Sequence, residues 1–247
     1  MNVELKKYRK EYEHSYSFGV FPTLELLHFR PESVIKVIAA SRGARNEGVL
    51  KLEGECLKRY IAYEVNDKVL ERLAPKENVY AVGVFSKYSR PLGEKASHVL
   101  LVNPSDMGNL GTIIRTMLGF GVPNLGIVRP AADLFDPKVV RSSMGALFKL
   151  SFEYFDSFGD YRTKFTHQLY PFMTNGKTTL EAANFTPPFT LIFGNESSGL
   201  PEEYQSAGTS VTIPHSQQID SLNLPIAVGI ALYEATKGNF RSLTPDP

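Results

Sequence analysis

The chain has 247 residues, enough for one large domain or two smaller ones, and 43% of them are hydrophobic and 21% charged. These values are ordinary for a globular protein, and no apolar run approaches the roughly 20 residues that a membrane-spanning helix needs. The net charge of +1 neither favours nor excludes a polyanionic partner. Residues 1–97 hold 17 Lys and Arg against 13 Asp and Glu, so the first part of the chain is the basic one.

The N-terminus and the rare residues exclude several classes of protein. Residues 6–13 are charged and aromatic and lack the continuous apolar core of a secretory signal, so we expect a cytoplasmic protein. The single cysteine, Cys56, has no partner for a disulfide or a CxxC site, and we expect it to be a small buried residue. The five histidines are scattered without metal-ligand spacing, which argues against a zinc site.

The first part of the chain alternates between helix-like and strand-like segments, which predicts an α/β unit. In chain order these are a helix over Thr23–Phe29, a strand over Val34–Ala40, a helix over Asn46–Arg59, a strand over Ile61–Val65, a helix over Asp67–Leu73 and a strand over Val79–Phe85. Polar residues with Pro91 and Gly93 then predict a linker over Ser86–Lys95. We therefore predict two domains, over residues 1–92 and 93–247.

A second α/β pattern follows the linker. It comprises a strand over His98–Asn103, a helix over Leu110–Phe120, a strand over Asn124–Val128, strands over Phe189–Gly194 and Ser210–Ile213, and a closing helix over Leu222–Thr236. The apolar strands suit a parallel sheet that is buried on both faces. Residues 157–188 predict only short elements between loops.

Three polar, glycine- and asparagine-rich turns follow apolar strands, where open α/β sheets place their ligand sites. They are Asn103–Arg115, Leu191–Glu203 and Ile213–Asn223. The chain has no GxxxxGK[ST] loop, no GxGxxG after a strand and no GxSxG elbow. These absences argue against an ATPase, a dinucleotide-dependent enzyme and a serine hydrolase.

Each of these turns also has a purely structural interpretation. The first turn leads into a helix that Asp106 or Asn109 would cap. The second is a turn shaped by glycines before another helix, although Glu196 has no evident structural task in it. The third precedes the closing helix, which Ser221 or Asn223 would cap.

Taken together and in this order, the three segments resemble the motifs of SpoU/TrmH-type RNA 2′-O-ribose methyltransferases, a branch of the SPOUT class. Asn109–Arg115 resembles motif one, Phe193–Gly199 motif two and Ile213–Asn223 motif three. The resemblance covers about residues 98–240 and implies a parallel sheet whose C-terminal segment forms a trefoil knot. By its element order and Phe21–Leu27, the first part is similar, more weakly, to an L30e-like RNA substrate-binding domain.

The resemblance implies S-adenosylmethionine as cofactor and methyl transfer to a ribose 2′-hydroxyl of tRNA or rRNA. It assigns cofactor binding to Phe193, Gly194, Asn195, Ile213, Pro214 and Leu222, and catalysis to Arg115, Asn109, Glu196, Ser221 and Asn223. In this family the residue matching Arg115 activates the hydroxyl. A guanidinium stays protonated at neutral pH, so positioning of phosphate and hydroxyl is the physically easier role for Arg115.

The motifs also depart from the family pattern. His215, Gln217 and Pro225 stand where members commonly have Met, Gly and Ser, so the floor of the cofactor pocket is expected to differ. A further segment, Arg141–Gly145, resembles a family segment near the site. Its Ser143 would contact RNA, or its glycine would serve tight helix packing.

The resemblance further implies a homodimer with the closing helix at its interface and RNA as partner. The residue pattern described above predicts no metal and no membrane span. Two alternatives stay open at this stage. One is a catalytically inactive RNA-binding protein that retains the fold. The other is a small-molecule methyltransferase, whose substrate binding would depend only weakly on salt, whereas RNA binding depends strongly on it.

Overall fold

The computed structural model describes residues 5–74 and 79–238, and these form two compact units. One unit comprises the chain up to Tyr88 together with Asp133–Lys149, and the other comprises Ser89–Ala132 and the chain from Leu150 onward. Within the described residues, no helix is long and apolar enough to cross a membrane.

The first unit is built on a four-stranded mixed sheet. Its elements are β1 (His14–Phe18), α1 (Val20–Phe29), β2 (Val34–Ala39), α2 (Glu47–Lys58), β3 (Ala62–Val65), α3 (Asp67–Leu73) and β4 (Ala81–Ser86). The strand order is β1-β4-β2-β3, with β4 antiparallel to both its neighbours and β3 parallel to β2. All the predicted elements occur within a few residues of their expected bounds, and β1 was not predicted.

Local chemistry explains where the second helix begins and what it packs against. The Asn46 side chain accepts hydrogen bonds from the amides of Gly48 and Val49, which caps α2. Leu52 and Cys56 on this helix are fully buried. Burial raises the pKa of the Cys56 thiol to about 11, so this cysteine is the inert packing residue that the sequence predicted.

Residues 133–149 pack on the first unit although the chain reaches them from the second. They contain α5 (Pro137–Ser142) and a following 3₁₀ turn. Lys149 pairs with Glu25 at 2.6 Å, the Arg30 Nε donates to the Phe148 carbonyl at 3.0 Å, and the Phe148 ring lies edge-on to Phe85 at 5.3 Å. The predicted domain limits, 1–92 and 93–247, therefore differ from these units in residues 89–92 and 133–149.

The second unit is built on a parallel sheet. Its elements are β5 (His98–Val102), α4 (Met107–Gly119), β6 (Asn124–Val128), β7 (Ser151–Phe155), α6 (Phe158–Lys164), β8 (Gln168–Pro171), β9 (Thr178–Thr179), β10 (Phe189–Phe193), β11 (Val211–Thr212) and α7 (Leu224–Thr236). The main sheet has the order β7-β6-β5-β10-β8, and all four pairings are parallel. The predicted α/β architecture with a parallel sheet is confirmed, whereas the knot stays a prediction.

The strand order of this sheet determines where a ligand can bind. From β5 the chain moves outward through β6 to β7, and it then returns to the other side of β5 to form β8 and β10. The carboxyl ends of β5 and β10 thus meet at the point where the direction of winding reverses. Such a switch point is the usual ligand site of an open α/β sheet.

Candidate active site

The loop after β5 begins with a strained residue and ends at a helix cap. Asn103 has a positive φ of 54°, which turns the chain out of the strand. The Asp106 side chain accepts a hydrogen bond of 2.7 Å from the Asn109 amide and so caps α4. Of the two caps that the sequence left open, the structure uses Asp106, and the side chain of Asn109 takes no part in capping.

The loop after β10 folds tightly onto itself around two glycines. A Cβ on Gly194 would lie 2.1 Å from the carbonyl carbon of Gly199, and Gly199 itself has a φ of +68°. The Gly199 amide donates to the Asn195 carbonyl at 2.9 Å, and the Asn195 side chain accepts from the amide of Ser197 at 2.9 Å. The backbone of this loop therefore requires glycine at 194 independently of any ligand.

Glu196 joins this loop to the one after β5. Its carboxylate accepts hydrogen bonds from the Ser105 amide at 3.1 Å, the Ser105 hydroxyl at 2.9 Å and the Asp106 amide at 3.1 Å. The Asn195 side chain adds a hydrogen bond of 2.8 Å to the Asn103 carbonyl. Glu196 thus has the structural task that the sequence did not reveal, since it holds two motif loops together at the switch point.

The same contacts determine the charge state of Glu196. Partial burial raises the pKa of its carboxyl, but hydrogen bonds from its own amide, from Ser105 and from Asp106 outweigh that effect. The pKa of Glu196 consequently lies below its ordinary value. The side chain is a stable anion and a hydrogen-bond acceptor at neutral pH, which argues against a role as a general base.

A cavity of about 610 Å³ opens beside the hydrogen bonds of Glu196, at the carboxyl ends of β8 and β10. Its size falls in the range of about 300–1,000 Å³ that is typical of small-molecule sites. Of the residues predicted to bind a cofactor, Phe193, Gly194, Asn195, Ile213 and Leu222 line it. Pro214 is exposed and lies outside the lining, although its neighbours Ile213 and His215 belong to it.

The residues predicted to be catalytic are not all brought to this cavity. Glu196 and Ser221 line it, and Asn223 follows the lining residue Leu222 and precedes α7 without capping it through its side chain. Asn109 and Arg115 lie on α4 and outside the lining. The structure of one chain therefore places five of the six residues predicted to bind the cofactor at this cavity, whereas Arg115 is not among its lining residues.

Several lining residues had not been singled out as site residues. Phe172 to Asn175 follow β8, a strand in the region for which the sequence predicted only short elements. Glu202 and Asp220 also line the cavity. His215, which the sequence pattern had placed at the floor of the pocket, lines it too, and its Nδ1 donates to the Ile213 carbonyl at 2.8 Å. No local sequence signal marks the residues after β8, because only the pairing of β8 with β10 brings them to the site.

The segment Arg141–Gly145 serves packing within the first unit. Ser143 is fully buried and its hydroxyl donates to the Val140 carbonyl at 2.9 Å, so this side chain is not available to contact RNA. Gly145 has a φ of +79°, and a Cβ there would lie 2.6 Å from the Cβ of Glu25. Of the two interpretations from the sequence, tight packing by the glycine is the one that the structure supports.

Comparison with known proteins bears directly on this arrangement. The model of the SpoU rRNA methylase family matches residues 96–233, which span both loops and the cavity. The chain belongs to this family. An uncharacterized tRNA/rRNA methyltransferase of Synechocystis is 33% identical over 192 residues, which make up 74% of this chain and 70% of that protein.

The names of two further relatives state the reaction or the bound cofactor. A 23S rRNA (uridine(2479)-2′-O)-methyltransferase of Streptomyces viridochromogenes is 33% identical over 163 residues, which cover 62% of this chain and 57% of that protein. A solved structure, an AdoMet-bound rRNA methyltransferase from Sinorhizobium meliloti, is 27% identical with a TM-score of 0.78 and covers 92% of this chain and 88% of that chain. The predicted family, its methyltransferase activity and its S-adenosylmethionine cofactor are confirmed.

Proposed function

We propose that this SpoU family member transfers the methyl group of S-adenosylmethionine to the 2′-hydroxyl of a ribose in tRNA or rRNA. The observation that carries the proposal is the cavity at the switch point, bounded by the loop that Glu196 ties to the loop after β5. The names of the relatives support RNA as the substrate class. We also propose a cytoplasmic location, where such RNAs are found.

The chemistry of the lining suits this cofactor. Phe193, Ile213 and Leu222 offer apolar surface for an adenine ring, while Asn195 and Ser221 offer polar groups at the same cavity. Pro214 belongs to the proposal as the residue between Ile213 and His215, which both line the cavity. When bound, S-adenosylmethionine supplies an electrophilic methyl group on a positively charged sulfur. The protein then accelerates transfer mainly by holding the ribose oxygen in line with that methyl group.

Arg115 is proposed to position the RNA. Its side chain lies on an exposed part of α4 and has no hydrogen-bond or ion-pair partner within the described residues. A free guanidinium can bind a phosphate through two parallel hydrogen bonds and so fix the neighbouring ribose. The ribose oxygen would form its bond to the methyl carbon as the methyl–sulfur bond breaks, and the hydroxyl proton would pass to the RNA phosphate or to solvent water. Asn109, Ser221 and Asn223 would orient the groups around it.

We propose that the active form is a homodimer with α7 at the interface. This helix is apolar on all sides, which is unusual for a helix that only one chain covers. Ile226, Ile230 and Tyr233 recur at helical spacing and are exposed by 56%, 37% and 54%. A second copy would cover these side chains, and it would also offer an Arg115 to a site that one chain leaves incomplete.

The remaining parts of the proposal concern the two ends of the chain. The basic first part of the chain would dock RNA in the manner of an L30e-like domain, since residues 1–97 hold 17 Lys and Arg against 13 Asp and Glu. The loops of the cavity would form part of a C-terminal trefoil knot, as the motifs imply. Two of the departures from the family's motif three lie near these loops. Gln217 is an exposed loop residue, and Pro225 is buried in the first turn of α7.

The test uses purified protein, methyl-labelled S-adenosylmethionine and separate pools of tRNA and rRNA. We expect label in a 2′-O-methylribose with the wild type and at least a hundredfold slower transfer with Arg115→Ala. Arg162→Ala, which removes an exposed arginine from α6, should transfer at the wild-type rate. Cofactor binding without transfer to either pool would contradict the proposed substrate, and equal loss in both variants would contradict the role of Arg115.

A further inference from the structure

The ionisable groups of the cofactor cavity are predominantly acidic. Among the described residues that line it are three carboxylates, Glu196, Glu202 and Asp220, and one histidine, but no lysine or arginine. The Glu196 carboxylate already accepts hydrogen bonds from Ser105 and Asp106. Neither Glu202 nor Asp220 has a hydrogen-bond or ion-pair partner for its side chain within the described part of the chain.

These two carboxylates have no evident structural task. Glu202 opens a 3₁₀ turn and Asp220 lies in the loop before α7, and both side chains are exposed where they border the cavity. Neither residue caps the element that follows it through its side chain. Two exposed carboxylates at the edge of one cavity give that cavity a negative electrostatic potential, which favours a cationic ligand.

The charge of the cofactor changes during the reaction. S-adenosylmethionine has a sulfonium, an ammonium and a carboxylate, which gives a net charge of about +1 at neutral pH. Once the methyl group has left, the sulfur is a neutral thioether and S-adenosylhomocysteine has no net charge. The two molecules otherwise share the same adenosine and amino acid, so charge is the main property by which a rigid cavity can distinguish them.

We propose that Glu202 and Asp220 form a charge filter that favours the cationic cofactor over its neutral by-product. This inference rests on the cavity being the cofactor site. The carboxylates attract the sulfonium form and lose that attraction when the methyl group is transferred, which promotes release of S-adenosylhomocysteine and limits product inhibition. For partly exposed groups we expect about two- to fivefold discrimination from each carboxylate.

The experiment measures dissociation constants of the full chain by calorimetry for three ligands. They are S-adenosylmethionine, S-adenosylhomocysteine and sinefungin, which has a protonated amine in place of the sulfonium. The variants are Glu202→Gln, Asp220→Asn and the double substitution. Glu203→Gln is the matched control, because Glu203 neighbours Glu202 and is exposed but does not line the cavity.

The charge filter predicts a selective loss of affinity. The double variant should bind both cationic ligands about tenfold more weakly and S-adenosylhomocysteine less than twofold more weakly, while Glu203→Gln should bind all three as the wild type does. In the wild type, the preference for S-adenosylmethionine over S-adenosylhomocysteine should shrink as salt is raised, since salt screens exposed charges.

Two kinds of result would overturn the inference, and they differ from failure of the proposed function. Equal losses for all three ligands would show that the carboxylates bind a group common to them, and unchanged affinities would show that they bind nothing. In both cases the wild type still binds cofactor and the assignment of the cavity stands. Absence of binding of all three ligands to the wild type would overturn the cofactor site itself.

Discussion

His98 illustrates at the residue scale how a polar group is accommodated in the core of the second unit. The side chain is fully buried on β5. Its Nε2 donates to the Gly93 carbonyl at 2.9 Å, so its Nδ1, at 2.8 Å from the Tyr161 hydroxyl, is the acceptor of a neutral imidazole. Burial is the main cause that lowers the pKa of His98 from 6.5 to about 4.

This shift predicts a pH dependence of stability. The unfolded chain binds a proton at His98 below pH 6.5, whereas the folded chain does so only below about pH 4. Neutral His98 therefore makes its full contribution to the free energy of unfolding above pH 6.5. This contribution, roughly 3 kcal/mol in total, is lost as the pH falls toward 4. Because the chain has no tryptophan, circular dichroism should follow its unfolding by urea.

The comparison that checks this prediction uses two histidine variants. His98→Gln should be less stable at pH 7.5 but should lose less unfolding free energy than the wild type between pH 6.5 and 4. His28→Gln removes an exposed histidine from α1 and should keep the wild-type dependence. If the wild type and His98→Gln lost stability in parallel over this range, His98 would not be the responsible group.

At the scale of elements, the loop after β10 decides the shape of the cofactor cavity. Gly194→Ala would place a Cβ 2.1 Å from the carbonyl carbon of Gly199, and the contact is with backbone that cannot rotate away. Overpacking of this kind costs about 1–3 kcal/mol. The loop must open to relieve the clash, so we expect at least a tenfold loss of affinity for S-adenosylmethionine.

Gly119→Ala is the matched control for this loop. Gly119 ends α4, and nothing lies within 4 Å of a Cβ added there. Alanine favours a helix over glycine by up to about 1 kcal/mol, so this variant should be as stable as the wild type or more so. Calorimetric titration and thermal unfolding of both variants provide the measurement. Wild-type binding by Gly194→Ala would contradict the clash with Gly199 as a constraint on the cavity.

The segment 133–149 shows what the pattern of elements alone cannot reveal. In the sequence it follows β6 and so reads as part of the second domain, yet its residues pack on α1, β1 and β4 of the first unit. Arg30 and Glu25 hold it through contacts more than a hundred residues away in the chain. Local propensity and periodicity contain no information about contacts at such distances, so the sequence pattern could not place this segment with the first unit.

At the scale of the whole molecule, the exposed apolar residues of α7 predict a dimer. Ile226→Glu should dissociate it, because an unpaired charge buried in an interface costs about 3 kcal/mol, which raises the dissociation constant roughly a hundredfold. Sedimentation of the wild type and the variant measures this. Leu57→Glu changes a side chain on α2 that is 78% exposed and should leave the dimer intact.

The proposed dimer would also link assembly to activity. If a second copy supplies Arg115, Ile226→Glu should lose methyl transfer together with dimerisation while retaining a folded first unit. A wild type that sediments as a monomer at concentrations where it transfers methyl groups would contradict the dimer. It would require that Arg115 reach the site in some other way within one chain.

The α/β class, most helices and strands, and the family all follow from the amino-acid sequence alone, because each of these depends on short segments. Apolar runs, caps such as Asp106 and the three motifs can each be recognised within a short segment. Seven residues of the lining were predicted in the same way, and among them Phe193 ends a strand while Gly194 to Glu196 and Ile213 directly follow one.

Which of these segments meet became clear from the folded structure. The pairing of β10 with β5 brings Glu196 to Ser105, and the pairing of β10 with β8 brings Phe172 to Asn175 to the cavity. The structure also showed that Gly194 serves its own loop, that Ser143 is buried and that Arg115 stays outside the cavity of its own chain. The physical reason is that strand order and long-range packing are properties of the folded whole, which depend on residues far apart in the sequence.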